Sequence, residues 1–356
     1  MARRSKEDIV ENNNVYSELE QVIREINKEY KSDIITYGVP KYDLPRIPLS
    51  SPRVNYMLYG GIIRNRVIEI CGPDSGGKTT TALDIVSNYQ ALPDAKKVLY
   101  IDHEATLESY WATLLGVDVE NMILYQPELE GAEDVFNIML KLLKTNAIGL
   151  IVLDSIGSLV PKKLTENDLD QDQMGGIARV LTRVVNTIVP LLPKYDCTFI
   201  GINQVRDNMN SMYNPYTTTG GKAWKHACSV RLMCSKGSLI DEDGNEISNN
   251  SENPAGNLVM IKALKLKGIR PNRLKGFYTL NYRTGIDYVL DTVDTAMKFD
   301  LIEKHGGWYQ IVDLDTGELK DEKIQGLSKL RQYFSENQEE FAKIYNKVNE
   351  LVEVVE

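Results

Sequence analysis

The sequence contains no run of 18 or more apolar residues, and its start, MARRSKEDIVENNN, has none of the architecture of a secretory leader. A helical membrane span and export are therefore not expected, and the chain reads as cytoplasmic. Cysteine is scarce. The four thiols, Cys71, Cys197, Cys228 and Cys234, sit at spacings that make neither a zinc site nor a disulfide framework, and their apolar neighbours mark them as reduced core residues. Internal repeats are absent as well. What remains is an ordinary globular composition, 42% hydrophobic and 26% charged, in 356 residues, a length that suggests about two domains. The net charge of −9 argues at first against a polyanionic partner, but the charge is unevenly spread. Residues 259–277 hold six basic side chains and no acid, whereas 287–356 hold sixteen acids against eight bases. A local basic stripe can meet nucleic acid whatever the net charge.

The most informative stretch is 67–80, VIEICGPDSGGKTT. A β-rich run breaks into Gly72-Pro73-Asp74-Ser75-Gly76-Gly77-Lys78-Thr79-Thr80, which fits the G-x-x-x-x-G-K-[ST] phosphate loop. Glycines let backbone N–H groups turn inward around an anion, and the helix that follows adds the positive end of its dipole. Lys78 is expected to reach the β- and γ-phosphates of a nucleotide, and Thr79 to ligate Mg²⁺. The bland alternative, a Gly-rich turn with a solvated lysine, does not explain why a strand precedes the loop and a helix follows it.

Around this loop, short β-rich runs (KVLYID, GLIVLDS, CTFIGINQ, SVRLMC) alternate with helical stretches over residues 51–285, which implies a mostly parallel sheet in an α/β fold. Ile9, Val15, Leu19, Val22 and Ile26 recur at helical spacing within 7–31. The proline-rich segment 37–52 reads as a linker, and 241–257 as a hairpin tip or mobile loop. A small α+β unit closes the chain. The expected domains are 1–45 (helix and linker), 46–285 (nucleotide-binding core) and 286–356.

Other candidates lie at strand ends. LIVLDS (150–155) ends an apolar run on Asp154, placed to serve the magnesium shell. Glu104, in IDHEATLESYW, can polarise the water that attacks a γ-phosphate, although an acid at a helix start is also common. His103 reads as structural. Trp111 can stack on adenine, with a plain core role as the alternative. Gln204, in INQVR, can sense a γ-phosphate and report it to the long polar segment DNMNSMYNPYTTTGGKAWK (207–225), a loop length that usually signals function. Lys265 and Lys267 fall on one face of a strand. Two ammonium groups side by side repel unless an anion lies between them, but edge-strand lysines that block aggregation explain the pair equally well.

Together GPDSGGKTT, IDHEATLESYWATLLGVD, IVLDSIGSLVPK, DQMGGIARVLT, INQVR, NPYTTTGGKAWK and LIEKHGGWY make the chain resemble the bacterial RecA recombinase family over nearly its whole length. The resemblance implies a RecA-type P-loop ATPase core with a docking helix before it and a small α+β domain after it. It also implies an ATP- and Mg²⁺-dependent helical filament on single-stranded DNA that pairs this strand with a homologous duplex and exchanges strands. By similarity, Lys78, Thr79 and Thr80 belong to the phosphate site, Glu104 activates water, Asp154 serves the metal, and Gln204 couples ATP to the DNA loops. Those loops resemble 166–175 and 206–221. Met174, Gly175, Arg179, Thr182, Arg206, Gly220, Gly221 and Lys222 fall at DNA-contact positions. Lys265 and Lys267 would reach the ATP of the neighbouring subunit, on which the helix ending VIREINKEYK docks.

There are departures. Trp111 replaces a tyrosine, Lys222 an asparagine and Asn186 an arginine, the second loop is one residue shorter, and the chain stops without a long acidic tail. These are the features of a divergent member, phage-encoded ones included. Rival readings are a non-hydrolysing DNA-binding paralogue, a hexameric helicase on the same core, and a metabolic P-loop kinase, for which no small-acceptor motif is evident.

Overall fold

The computed structural model describes residues 6–31, 33–38, 45–162, 176–207 and 216–353. It divides into two compact units, 1–44 and 45–356.

In the first unit, helix α1 (Lys6–Glu29) realises the apolar spacing read from the sequence. Asn27 exchanges two side-chain hydrogen bonds of 3.0 Å with the backbone of Ile35, folding the chain back after the helix. On the apolar stripe of this helix, Leu19 and Val22 are 47% and 49% exposed.

The second unit opens with β1 (Arg46–Ile47), α2 (Pro52–Leu58) and β2 (Ile62–Ile63), the two strands pairing antiparallel. This corrects part of the linker reading. Ile47 and Leu49 are fully buried, so the later half of the proline-rich segment is core. Proline removes N–H donors, which lowers the cost of burying such a stretch. Residues 39–44 lie outside the described residues.

The central sheet follows from β3 (Val67–Gly72), β4 (Lys97–Asp102), β5 (Met122–Tyr125), β6 (Ile148–Asp154), β7 (Thr198–Asp207), β8 (Tyr216–Thr218), β9 (Val230–Ile240), β10 (Glu246–Ile247), β11 (Gly256–Leu266), β12 (Lys275–Asn281) and β13 (Gly285–Ile286). Its order is β13-β12-β11-β9-β3-β7-β6-β4-β5, with β10 beside β9 and β8 beside β7. The strands from β9 to β5 run parallel, and β11, β12 and β13 extend the sheet antiparallel. Strands β3 and β6 are buried along their whole length, as a sheet covered on both faces requires. The covers are α3 (Lys78–Gln90) and α4 (Ser109–Leu114), then α5 (Ala132–Leu143), α6 (Gly176–Lys194) and α7 (Gly221–Ala227). All four cysteines are free and buried, and burial pushes each thiol up. The segment 241–257 starts as the β9–β10 hairpin and leads into β11.

The chain closes on α8 (Tyr288–Lys298), a three-stranded sheet of β14 (Ile302–His305), β15 (Trp308–Ile311) and β16 (Ile324–Gln325), and helices α9 (Leu327–Glu336) and α10 (Gln338–Glu353). These have their own apolar core around Val293, Ile302, Leu330, Phe334, Ile344 and Val348. Among the described residues no helix is long and apolar enough to cross a membrane.

Candidate functional site

Four neighbouring parallel strands end side by side. The loop 72–77 follows β3, Gln204 lies opposite Gly72 on β7, Asp154 ends β6, and Glu104 follows β4. In open α/β sheets ligands bind at these carboxyl ends.

The loop is shaped by close backbone approaches. A Cβ on Gly72 would sit 2.0 Å from the Cys234 carbonyl oxygen, so no larger residue fits there. Gly77 caps α3, whose N-terminus points its free N–H groups into the loop. Lys78 is half-buried and its Nζ donates to the Pro73 carbonyl at 2.8 Å, across the hollow it closes. Ser75, Gly76, Gly77, Lys78, Thr79 and Thr80 line one wall of a cavity of about 420 Å³, a size that suits a small ligand. Trp111 also lines this cavity and packs against the core beside it. Lys236, Asn257 and Tyr282 complete the wall. Nothing in the sequence singled out these three, because β9, β11 and the end of β12 meet the loop only through the sheet.

Asp154 is 5% exposed, and its Oδ2 accepts from Thr79 Oγ1 at 2.8 Å and from Tyr100 Oη at 3.0 Å. Burial raises its pKa, and the two donors oppose that rise. Burial likewise holds the Tyr100 phenol well above its ordinary value, so it is a neutral donor. The Thr79 hydroxyl beside a shielded carboxylate is an all-oxygen donor set that fits magnesium, which takes few protein ligands.

Glu104 is exposed and accepts a short hydrogen bond from Ser155 Oγ. The turn that presents it is built by Asp102, whose carboxylate accepts from the backbone N–H of Thr106 at 3.1 Å and of Leu107 at 3.0 Å. His103 donates its backbone N–H to the Asp154 carbonyl at 2.7 Å, which joins the turn to the end of β6.

The candidates for DNA contact fall into two groups. Met174 and Gly175 lie outside the described residues, as do 163–173 and 208–215. Of the rest, all but Arg206 lie on α6 or at the start of α7. A Cβ on Gly220 (φ +108°) would come within 2.9 Å of Leu181, and one on Gly221 within 3.2 Å of Ala178. These glycines thus seat the start of α7 against the helix turn that carries exposed Arg179 and Thr182. Thr182 Oγ1 donates to Ala178 O at 2.7 Å. Lys222 is exposed beside them, and Arg206 is exposed on β7, opposite Thr217 of β8.

A buried carboxylate that sequence reasoning missed ties these pieces together. Glu69 of β3 accepts from Asn203 Nδ2 at 2.9 Å, Trp224 Nε1 at 2.8 Å and Arg231 Nε at 2.5 Å. Asn203 also donates to Thr219 O at 2.9 Å, and Arg231 to Thr218 Oγ1 at 3.2 Å.

Lys265 and Lys267 lie at the other end of the sheet. Lys265 is level with Arg231, and Lys267 donates its backbone N–H to Ser229 O, whose own N–H donates to Val67 O, at the start of β3. From Val67, the level of Lys267, to Gly72 is five steps or about 16 Å of strand, and from Glu69, the level of Lys265, it is three steps or about 10 Å. The Lys265 ammonium donates to Lys225 O at 3.0 Å and His226 O at 2.9 Å, capping the C-terminus of α7. Desolvation lowers its pKa, and the Lys267 and Arg231 charges lower it further.

A family model for the RecA N-terminal domain matches residues 17–287, and one for the RecA C-terminal domain matches 291–353. The chain is 34% identical to Protein RecA of Thermus aquaticus over 341 residues, 95% of each chain. It is 32% identical to Protein RecA of Ruminococcus albus over 334 residues, 93% of this chain and 79% of that one. To Protein RecA of Leptospira biflexa it is 35% identical over 294 residues, 82% and 70% of the two chains. That family is one of DNA-dependent ATPases that use ATP with magnesium, bind DNA and form filaments. The two family models cover most of the chain, on a sheet whose strand ends carry the P-loop, the buried aspartate and the exposed glutamate, and the chain belongs to the RecA family of recombinases.

Proposed function

We propose that this protein hydrolyses ATP in a helical filament on single-stranded DNA and uses that filament to pair and exchange strands with a homologous duplex. The observation that carries the reading is the convergence of Lys78, Thr79, Asp154, Glu104 and Gln204 at four adjacent strand ends. In it, Lys78 leaves the Pro73 carbonyl for the β- and γ-phosphates, Thr79 and Asp154 hold magnesium, and Trp111 stacks on the base. Magnesium would neutralise charge that develops on the phosphates. Glu104 orients and deprotonates the attacking water once it exchanges Ser155 for that water. Gln204 reads the γ-phosphate and hands the signal to 206–221. Arg179, Thr182, Arg206, Gly220, Gly221 and Lys222, with Met174 and Gly175, line the DNA path.

Lys265 and Lys267 act on the next subunit's ATP. Support comes from the sheet: Lys267 is level with Val67, about 16 Å of strand from Gly72, and Lys265 is level with Glu69, about 10 Å from Gly72, with its ammonium turned to the Lys225 and His226 carbonyls. The exposed Leu19 and Val22 of α1 suit the same arrangement, since a second copy would bury them. The test is a strand-exchange assay with homologous and heterologous duplexes, run beside DNA-stimulated ATP turnover and electron microscopy. Homologous exchange on helical filaments is expected. Closed rings would favour the helicase reading, and DNA binding without turnover the non-hydrolysing paralogue.

A further inference from the structure

Two hydrogen bonds reach one oxygen of Asp154 from different parts of the chain. Thr79 approaches Oδ2 from the phosphate loop, and Tyr100 approaches it from β4, the strand beside β6. Oδ1 accepts no hydrogen bond from a described residue. Tyr100 is fully buried among apolar side chains, where a phenol without a partner would be costly. It stands level with Val152 in the β4–β6 register, two residues before Asp154, so its ring rises along the sheet to meet the carboxylate from below the site.

We infer that Tyr100 is a positioning residue for the metal-bearing carboxylate: it pins Oδ2 so that Asp154 keeps a fixed rotamer with Oδ1 free. The inference rests on the reading that Thr79 and Asp154 hold magnesium. The Thr79 hydroxyl must serve both the cation and Asp154, and Tyr100 supplies the bond that does not depend on the cation. Without it, the carboxylate turns about its last bond before each binding event. Partners that orient a metal ligand are typically worth 10–100-fold in metal affinity.

The experiment is a titration of Mg²⁺ against binding of a fluorescent, non-hydrolysable ATP analogue to the full chain, with thermal stability read alongside. Tyr100→Phe keeps the ring that fills the core and removes only the hydroxyl. Its half-saturating Mg²⁺ should rise on the order of 10-fold, while analogue affinity at saturating Mg²⁺ returns to the parental value. Tyr89→Phe is the control. It also deletes a fully buried hydroxyl, one that accepts from Lys96 N at 3.0 Å away from the site, and should leave the Mg²⁺ midpoint unmoved. An unchanged midpoint in Tyr100→Phe would overturn the inference, as would an equal shift in Tyr89→Phe or a weakening that excess Mg²⁺ does not restore. A parental protein whose analogue binding ignored Mg²⁺ would instead refute the metal reading itself, before any variant was made.

Discussion

Lys78 and Lys265 make the same kind of contact at opposite ends of one sheet. Each ammonium rests on backbone carbonyls: Lys78 on Pro73 O in its own phosphate loop, Lys265 on Lys225 O and His226 O at the end of α7. A cation on a neutral carbonyl is readily captured by a phosphate, because an opposite full charge attracts it more strongly than a dipole does. Where each lysine waits therefore indicates which phosphate it serves. Lys78 waits beside its own nucleotide cavity. Lys265 waits on the helix that carries Gly221 and Lys222, out of reach of that cavity. In the proposed filament, one half of the site comes from a single chain and the other half from a second copy.

The sharpest way to break this comparison is to mix variants. Lys265→Ala/Lys267→Ala should fold and bind ATP but lose DNA-dependent turnover on the order of 10³-fold, as loss of an arginine finger does. Glu104→Gln should also lose turnover, about 10²-fold or more, while keeping ATP bound in a long-lived filament. Co-assembled filaments of the two contain interfaces that pair intact lysines with an intact Glu104, so activity should reappear there. No recovery in mixed filaments would place the lysines' role within their own subunit.

The intrachain half has its own foundation, and it can be tested by pH. Asp84 on α3 is fully buried and accepts the backbone N–H of Ser50 at 3.1 Å, tying the helix behind the phosphate loop to the segment after β1. Burial raises its pKa from 3.8 to about 6, against the pull of its hydrogen bonds from Ser50 and Asn88. Folding thus favours the protonated acid. That contribution is fully present below about pH 4 and is lost as pH rises through 6. A rise of about two units corresponds to about 3 kcal/mol. Denaturant unfolding of Asp84→Asn should show its stability gaining on the parent by roughly that amount between pH 4 and 7. A difference that stays flat with pH would mean that Asp84 is ionised in the folded protein.

How far the sequence reaches follows the same division. The phosphate loop, Asp154, Glu104 and Gln204 were legible because each ends or follows an apolar run, and a parallel sheet gathers such ends on one edge. The strands KVLYID and GLIVLDS likewise declare themselves by composition. Glu69 did not, since an acid inside VIEIC looks like one polar interruption, and only the fold brings Asn203, Trp224 and Arg231 to it. Ser155 and Tyr100 were missed for a related reason: their partners lie 51 and 54 residues away. The proline-rich stretch misled because proline content reports backbone chemistry and not burial, while Ile47 and Leu49 are core.

A smaller effect probes the link between the halves. Gln204 stands level with Gly72, and its neighbour Asn203 is held by Glu69 and by Thr219 O, at the return of the segment 208–215. In the proposed switch, ATP acts through Gln204 at the end of β7, beside an Asn203 already held by Glu69. Gln204→Ala should bind ATP at parental affinity yet lose the ATP-dependent gain in DNA affinity, about 10-fold. Hydrogen exchange over 207–219 that is the same with ATP analogue and with ADP would sink the switch.

The smallest expected effect belongs to Arg179. It is exposed on the turn of α6 against which Gly220 and Gly221 pack, so in the proposed DNA path its guanidinium lies beside the two glycines. A single phosphate contact neutralised by one arginine releases close to one counterion. Affinity for single strands then falls with salt at a log–log slope of about −0.7 per contact. Arg179→Ala should flatten the slope by about that amount and weaken binding severalfold at low salt, equally on every base composition, because the contact carries no sequence information. Lys222→Ala provides the comparison: an ammonium at the start of α7 is a point charge on a flexible stem, and its loss should cost less than that of the forked guanidinium. If neither slope nor affinity moves in Arg179→Ala, the α6–α7 corner lies off the DNA path. The strand would then have to run along Arg206 and the rim of β7 instead.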